Sequence, residues 1–278
     1  KSTKKRSALE VSRELDRMGS RANAYTSWER TVYYAQILPE FAFEAMGLIA
    51  EMIDPGFVEE DFTTEKQVIL EEIEMYNDRP EFLLGEAMME KRFAPHPLAG
   101  RILGTRASIT ALPLDAMRTY HAARYAPERL ALAVAGAVAA DEVFAAAARL
   151  ALPAGVARDY PSPPLSSGTG EIRVERPQDA REQFTAAWPG PNRDELRARY
   201  AANIAGILLG DEEGSRLSWS LIHPGLAESV DASGLSFRDT GLFTAGFSAV
   251  PENAARCREI LFAELARLPA SPARGEEF

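Results

Sequence analysis

Apolar residues at the start of the chain recur every three or four positions, the spacing that places side chains on one face of an α-helix. These positions are Ala8, Val11, Leu15 and Met18. Ser7 and Glu10 match a capping box, and Gly19 is a typical residue at a helix end. The pattern therefore predicts a short amphipathic helix between Ser7 and Gly19.

Further helices and several strands are predicted in the same way. Helical spacing is found after Pro39, over 59–77, from Pro80, and over 114–124, 141–152 and 194–209. Strand-like runs occupy 22–26, 31–38, 130–136, 171–175, 183–188, 226–232 and 241–250. A polar turn at 27–30 joins the first two strands, so we expect them to form a hairpin.

The order of these elements repeats once along the chain. The first copy consists of a helix ending in glycine, two strands, the segment Ile37-Leu-Pro-Glu40 and an amphipathic helix. The second copy has the same order: a helix at 215–221 followed by Gly225, two strands, the segment Ala249-Val-Pro-Glu252 and a helix. The offset of about 210 residues is too long for a solenoid repeat and indicates a duplicated domain. We therefore predict an α+β fold of two homologous α/β sandwich domains in tandem, each an antiparallel sheet with helices packed on one face.

A Pro- and Gly-rich stretch separates the two copies. We predict an N-terminal domain at 1–158, a linker at 159–170 and a second domain at 171–278. Aligning the copies suggests that the first domain lacks its first strand and first long helix, which would precede Lys1. The second domain is expected to be incomplete at its C-terminus.

Composition excludes some classes of protein. The 278 residues are 46% hydrophobic and 26% charged, and their net charge is −10. This is globular composition, and an acidic chain has no general attraction for nucleic acid or anionic membranes. There is no apolar run long enough to span a bilayer and no signal peptide, so we expect a cytoplasmic protein. The single Cys257 is predicted to be a small core residue.

Carboxylates on the predicted helix 59–77 are the most informative candidates for chemistry. Glu65 and Glu72 lie about two turns apart, within the apolar stripe formed by Phe62, Ile69, Ile73 and Tyr76. A carboxylate on a buried face needs a cation or several donors. The pair is therefore consistent with a metal ligand and its neighbour, with a buried ion pair, or with a solvated helix edge. The three histidines have no metal-ligand partner at helical spacing.

Several motifs, in order along nearly the whole chain, resemble the pitrilysin/insulinase family of zinc peptidases. They include Met18-Gly-Ser-Arg-Ala-Asn-Ala-Tyr-Thr26, Thr31-Val-Tyr-Tyr34, Glu65-Lys-Gln-Val-Ile-Leu-Glu-Glu72, His96-Pro-Leu98, Tyr125-Ala-Pro127 and Gly214-Ser-Arg-Leu217. The family is built from paired homologous α+β domains, in agreement with the internal duplication.

The resemblance implies a Zn²⁺ cofactor. The family's inverted motif His-x-x-Glu-His supplies two zinc ligands and a general base, and it would lie shortly before Lys1. The third ligand falls on Glu72, and Glu65 matches a second glutamate that supports the site. Zinc in this family polarises a water that attacks a peptide carbonyl.

The resemblance also implies where a peptide would bind. Substrate is expected to add as a strand at the edge formed by Asn23, Ala24 and Tyr25, and Phe82 would line a neighbouring side-chain pocket. A strand start after a turn explains Asn23 and Ala24 equally well, and Phe82 also fits as a core aromatic. Active members often carry an Arg/Tyr pair in the second domain, and Ile222 and Glu228 stand about where that pair would be.

Three hypotheses follow. The first is a zinc-dependent metalloendopeptidase that cleaves peptides or unfolded segments. The second is a non-catalytic homologue that acts as a scaffold or partner subunit of a peptidase chamber, and the third is a general peptide-binding module. By resemblance, a homodimer or a paired family subunit is expected.

Overall fold

The computed structural model describes residues 2–159, 163–165, 168–211 and 213–269. The chain forms two compact units, Lys1–Tyr76 with Phe93–Ser166 and Asn77–Arg92 with Ser167–Phe278. Part of the predicted linker, at 160–162 and 166–167, lies outside the described residues, and the domain boundaries stay a prediction. The residues around Phe82, which fall within the predicted first domain, belong to the second unit.

The first unit is mainly helical. Its elements are α1 (Ala8–Arg17), β1 (Arg21–Thr26), β2 (Thr31–Gln36), α2 (Ala42–Ile53), α3 (Glu59–Asn77), α5 (Arg106–Ala111), α6 (Leu114–Arg124) and α7 (Ala140–Ala147). The predicted capping box is present: the Ser7 hydroxyl accepts from the Glu10 amide, and the Glu10 carboxylate accepts from the Ser7 amide at 2.8 Å. This closes the first turn of α1, as the sequence pattern predicts.

A small core joins α1 to α2. Val11 on α1 and Met18, the C-cap residue of α1, pack with Ala45 and Leu48 on α2, and all four are nearly inaccessible to solvent. The hairpin of β1 and β2 follows α1 directly, in a register that pairs Ala24 with Tyr33. The α1–α2 core therefore fixes the base of the hairpin.

The second unit is an antiparallel sheet with helices on one face. Its elements are α4 (Pro80–Phe93), β3 (Glu182–Gly190), α8 (Leu196–Gly210), β4 (Ser229–Ser236), β5 (Gly241–Ala249) and α9 (Pro251–Arg267), with strand order β3-β5-β4. Val230 and Phe247 share a sheet face and pack with Leu209 of α8 and Cys257 and Leu261 of α9. Since both helices contribute to this one core, the predicted α+β fold is confirmed, and Cys257 is a core residue.

Two predicted strands are wrong. Residues 130–136 and 171–175 have no strand structure, and Leu132 and Val134 are exposed. An apolar run indicates an extended or buried segment, but a strand forms only where a neighbour completes its main-chain hydrogen bonds. None of the described strands pairs with either run. In addition, α7 ends at Ala147 and does not reach 152.

Within the described part of the chain, no helix combines the length and the apolarity that a bilayer crossing requires.

Candidate functional site

The two candidate carboxylates lie about two turns apart on one flank of α3. Leu70 and Ile73 form the buried face of this helix, while Glu65 and Glu72 are half-buried at its edge. The neighbouring Glu71 is exposed. The structure thus places Glu65 and Glu72 beside the buried face of α3 and within reach of solvent, which is closer to the alternative of a solvated helix edge than to a position inside the buried stripe.

The carboxylate of Glu72 has no partner in the part of the chain that the structure describes. Among the described residues, no hydrogen bond or ion pair engages it, whereas Glu74, two positions further on, accepts from Arg106 Nη2 at 2.6 Å. Partial burial of a carboxylate without a donor is unfavourable. Such a group is suited to bind a cation that approaches from the open side of α3.

A complete metal site is not formed by the described residues. They contain no group of three His, Cys, Asp or Glu side chains able to hold a metal ion. A catalytic zinc site takes three protein ligands. Glu72 fits zinc as one oxygen ligand, but the described residues do not fit it as a whole site, so no catalytic step is derived from them.

The histidines have structural roles. His96 Nδ1 accepts from the Leu98 amide at 3.2 Å and caps a short 3₁₀ helix. His121 Nε2 lies 2.8 Å from the Ile53 carbonyl oxygen. His223 stacks on Trp219 with ring centroids 4.0 Å apart. Each of the three histidines is thus engaged in a local or tertiary contact of the fold.

The predicted peptide-binding strand, β1, is open to solvent. All six of its residues are exposed, including Asn23, Ala24 and Tyr25. It pairs with β2 on one side, and within the described residues no strand pairs with its other side, which we call the β1 edge. An unpaired edge presents main-chain donors and acceptors that an extended peptide can bind.

Two side chains hold the hairpin against the rest of the first unit. Trp28 Nε1 donates to the Gly100 carbonyl oxygen at 3.2 Å, and the half-buried side chain of Tyr33 lies beside Tyr125. Burial and the adjacent Tyr125 raise the pKa of Tyr33 above its ordinary value. The sequence gives no signal of this contact beyond the presence of both tyrosines in the family motifs.

A cavity of about 480 Å³ beside the first half of α3 was also not predicted. Lys66 lines it and donates to the main-chain oxygens of Thr110 and Leu112 at 2.7 and 3.0 Å. Arg118, a second lining residue, donates to the Phe57 carbonyl oxygen at 2.9 Å. Both cations are thus engaged by the fold itself.

The remaining candidates lie in the second unit. Phe82 is half-buried on α4. Ile222 ends a π-helical turn, Ser218–Ile222, and packs against the main core. Glu228 forms an ion pair with Arg181. The positions expected for an Arg/Tyr pair therefore hold a packed aliphatic side chain and a paired carboxylate.

Sequence comparison gives two matches that together span almost the whole chain. Residues 1–106 match the family described as Insulinase (Peptidase family M16), and residues 111–278 match Peptidase M16 inactive domain. A zinc protease of uncharacterized function from Mycobacterium leprae is 30% identical over 273 residues, 96% of this chain and 61% of the relative. One from Rickettsia bellii is 30% identical over 95% of this chain and 64% of the relative. The chain thus spans about three fifths of the length of these curated relatives.

Solved structures share the fold. A peptidase M16 inactive domain from Pseudomonas fluorescens has a TM-score of 0.85 and 22% identity, covering 99% of this chain and 68% of that chain. A Helicobacter pylori protease has a TM-score of 0.84 and 21% identity, covering 100% and 69% respectively.

Proposed function

Because the chain belongs to peptidase family M16, the insulinase family, we propose that the whole protein is a zinc-dependent metalloendopeptidase. It hydrolyses peptide bonds in peptides or unfolded segments. Membership in the family confirms the resemblance found in the sequence. The observation that carries the proposal is the half-buried carboxylate of Glu72, which no other described residue engages.

Glu72 is proposed as one of the zinc ligands. It stands at the position of the family's ligand glutamate in Glu65-Lys-Gln-Val-Ile-Leu-Glu-Glu72, and α3 holds it at the boundary between core and solvent. Glu65 lies about two turns earlier on the same flank and is proposed to support the site. The remaining ligands and the general base are not assigned to the described residues.

The β1 edge is proposed as the place where substrate binds. An added peptide would bond to main-chain groups of β1 and would be selected by conformation more than by sequence. Extended, unfolded segments satisfy this requirement, whereas folded domains do not. Phe82 is proposed to line a side-chain pocket of the same enzyme.

The test compares two adjacent glutamates in the whole protein. Glu72→Gln keeps the size of the side chain but removes the charge, and it should abolish both zinc retention and cleavage of an internally quenched peptide. Glu71→Gln changes an exposed neighbour and should retain both. Zinc is measured by inductively coupled plasma mass spectrometry after dialysis. Stoichiometric zinc and full peptidase activity in Glu72→Gln would contradict the proposal that Glu72 is a zinc ligand.

A non-catalytic role as a scaffold or partner subunit is the second candidate. It is favoured by the match of 111–278 to an M16 inactive domain and by Ile222 and Glu228 at the positions of the Arg/Tyr pair. In this case the purified whole protein neither binds zinc nor cleaves peptide, and it associates with a second family subunit that does. Analytical ultracentrifugation of the protein alone also tests the homodimer, which stays a prediction.

A further inference from the structure

The alternation of hydrogen-bonded and non-hydrogen-bonded residue pairs in the hairpin shows which amides of β1 face the β1 edge. The Ser27 amide donates to the Arg30 carbonyl at 2.8 Å, so these two residues form a hydrogen-bonded pair. Bonded and non-bonded pairs alternate in an antiparallel ladder. Thr26 and Thr31 are then a non-bonded pair, and their hydroxyl oxygens lie 3.3 Å apart, as close side chains of such a pair should. By the same alternation, Ala24 and Tyr33 are also non-bonded.

The main-chain groups of Ala22, Ala24 and Thr26 therefore point away from β2. These are the donors and acceptors that an added peptide strand would use. At the centre of the three, the Ala24 amide donates to the side-chain oxygen of Asn23 at 2.8 Å. The central donor of the β1 edge is thus already satisfied by the residue before it.

We propose that Asn23 guards the β1 edge: its side-chain oxygen occupies the Ala24 amide until an incoming peptide strand displaces it. The inference deepens the proposed function and rests on its assignment of the β1 edge as the substrate site. When a peptide binds, one of its carbonyl oxygens replaces the Asn23 side-chain oxygen as the acceptor for the Ala24 amide. The hydrogen bond gained with the peptide is therefore offset by the loss of the bond to Asn23. The guard lowers the affinity for any single peptide and protects an exposed edge from pairing with other strands.

The experiment uses the whole protein in chelator, which separates binding from hydrolysis. The probe is a short fluorescein-labelled peptide of alternating Ser and Thr, and its affinity is measured by fluorescence anisotropy. Asn23→Ala removes the guarding oxygen, and Asn and Ala are both poor strand formers, so strand propensity changes little. The net value of one hydrogen bond corresponds to a gain in affinity of about three- to tenfold for Asn23→Ala.

The matched control is Asn23→Asp, which keeps an acceptor oxygen at the same position and should bind no more tightly than the wild type. Unchanged or weaker binding by Asn23→Ala overturns the guard. A second readout needs no peptide: hydrogen exchange of the Ala24 amide should be slower than that of Ala22 in the wild type, and this protection should disappear in Asn23→Ala. Equal exchange at Ala22 and Ala24 in the wild type also overturns it.

Failure of the substrate site gives a different result. The same peptide with alternate amides N-methylated cannot pair as a strand, so it should bind none of the variants. If it binds as tightly as the unmodified peptide, or if no variant binds either peptide, the β1 edge does not accept strands, and the guard falls with the proposed site. Loss of zinc or of hydrolysis affects neither binding readout.

Discussion

The half-buried side chain of Tyr33 on β2 lies beside that of Tyr125, the residue ending α6, and interacts with it. Tyr125 is itself stacked on His121, with ring centroids 4.5 Å apart, and His121 contacts the Ile53 carbonyl at the end of α2. Since Tyr33 is paired with Ala24 across the hairpin, this chain of contacts fixes the position of β1. The β1 edge is therefore open to solvent, while β2, the strand on the other side of β1, is attached to the rest of the first unit.

We expect Tyr33→Phe to destabilise the protein by about 1 kcal/mol at pH 8, because it removes a half-buried hydroxyl that interacts with Tyr125. Tyr34→Phe is the matched control, since Tyr34 is an exposed neighbour on the same strand. Urea unfolding of both variants and the wild type gives the difference. Equal stability of Tyr33→Phe and Tyr34→Phe would contradict the anchoring role of Tyr33.

The same pair predicts a dependence on alkaline pH. The pKa of Tyr33 is raised in the folded protein, so its contribution to stability is complete below the unfolded value of about 10 and is lost as pH rises through the folded value. The stability difference between the wild type and Tyr33→Phe should therefore shrink when unfolding is measured above about pH 10. A stability difference between the wild type and Tyr33→Phe that grows with pH would contradict a raised pKa of Tyr33.

Any residue larger than glycine at position 210 is expected to destabilise the second unit, because α8 approaches β4 closely at this point. A Cβ at Gly210 would lie 2.4 Å from the Ala232 main-chain nitrogen. Gly210→Ala should thus cost about 1–3 kcal/mol in the free energy of unfolding. Gly85→Ala, in the helix α4 of the same unit, meets no atom within 4 Å and should be neutral or stabilising by up to about 1 kcal/mol. Thermal unfolding monitored by circular dichroism distinguishes the two.

Asp231 gives a prediction at acidic pH. Although the residue as a whole is exposed, its carboxyl lies against β5 beside Gly246, and the loss of water raises its pKa. A raised carboxyl pKa means that stability is lost as pH rises from the unfolded value, about 4, through the folded one. Asp231→Asn should therefore be more stable than the wild type at pH 7, and the difference should vanish near pH 3. Asp239→Asn, at an exposed turn residue, is the control.

Lys66 is predicted to hold the connection between α5 and α6 against α3. Lys66→Met keeps the aliphatic stem but removes the donor to the carbonyls of Thr110 and Leu112. Because the cavity beside α3 lets water reach these oxygens, the cost should be modest, about 1 kcal/mol. Gln67→Met, at the next and exposed position, is the control, and urea unfolding is the measurement. Equal effects of the two substitutions would contradict the role of Lys66.

Local signals were sufficient for much of the fold. Ser7 and Glu10 close the first turn of α1 as a capping box, α3 spans Glu59–Asn77, and α6 spans Leu114–Arg124, as the apolar spacing predicts. Their hydrogen bonds join residues close in sequence, so the pattern contains the information that forms them. The motifs spread in order from Met18 to Leu217 likewise identified the family. Residues 130–136 show the limit, because strand formation depends on a partner that periodicity does not reveal.

The sequence by itself determined the helices, the family and the flank of α3 that presents Glu65 and Glu72, because each depends on residues close together along the chain. Only the tertiary structure decided that Tyr33 meets Tyr125, that His121 contacts the Ile53 carbonyl, and that the Ala24 amide faces the β1 edge beneath the Asn23 side chain. Contacts of the first two kinds join distant segments, and the third depends on the hydrogen-bond phase of the hairpin. The spacing of apolar and polar residues sets neither the contacts between distant segments nor the hydrogen-bond pattern of the hairpin. These features are therefore seen only in the folded chain.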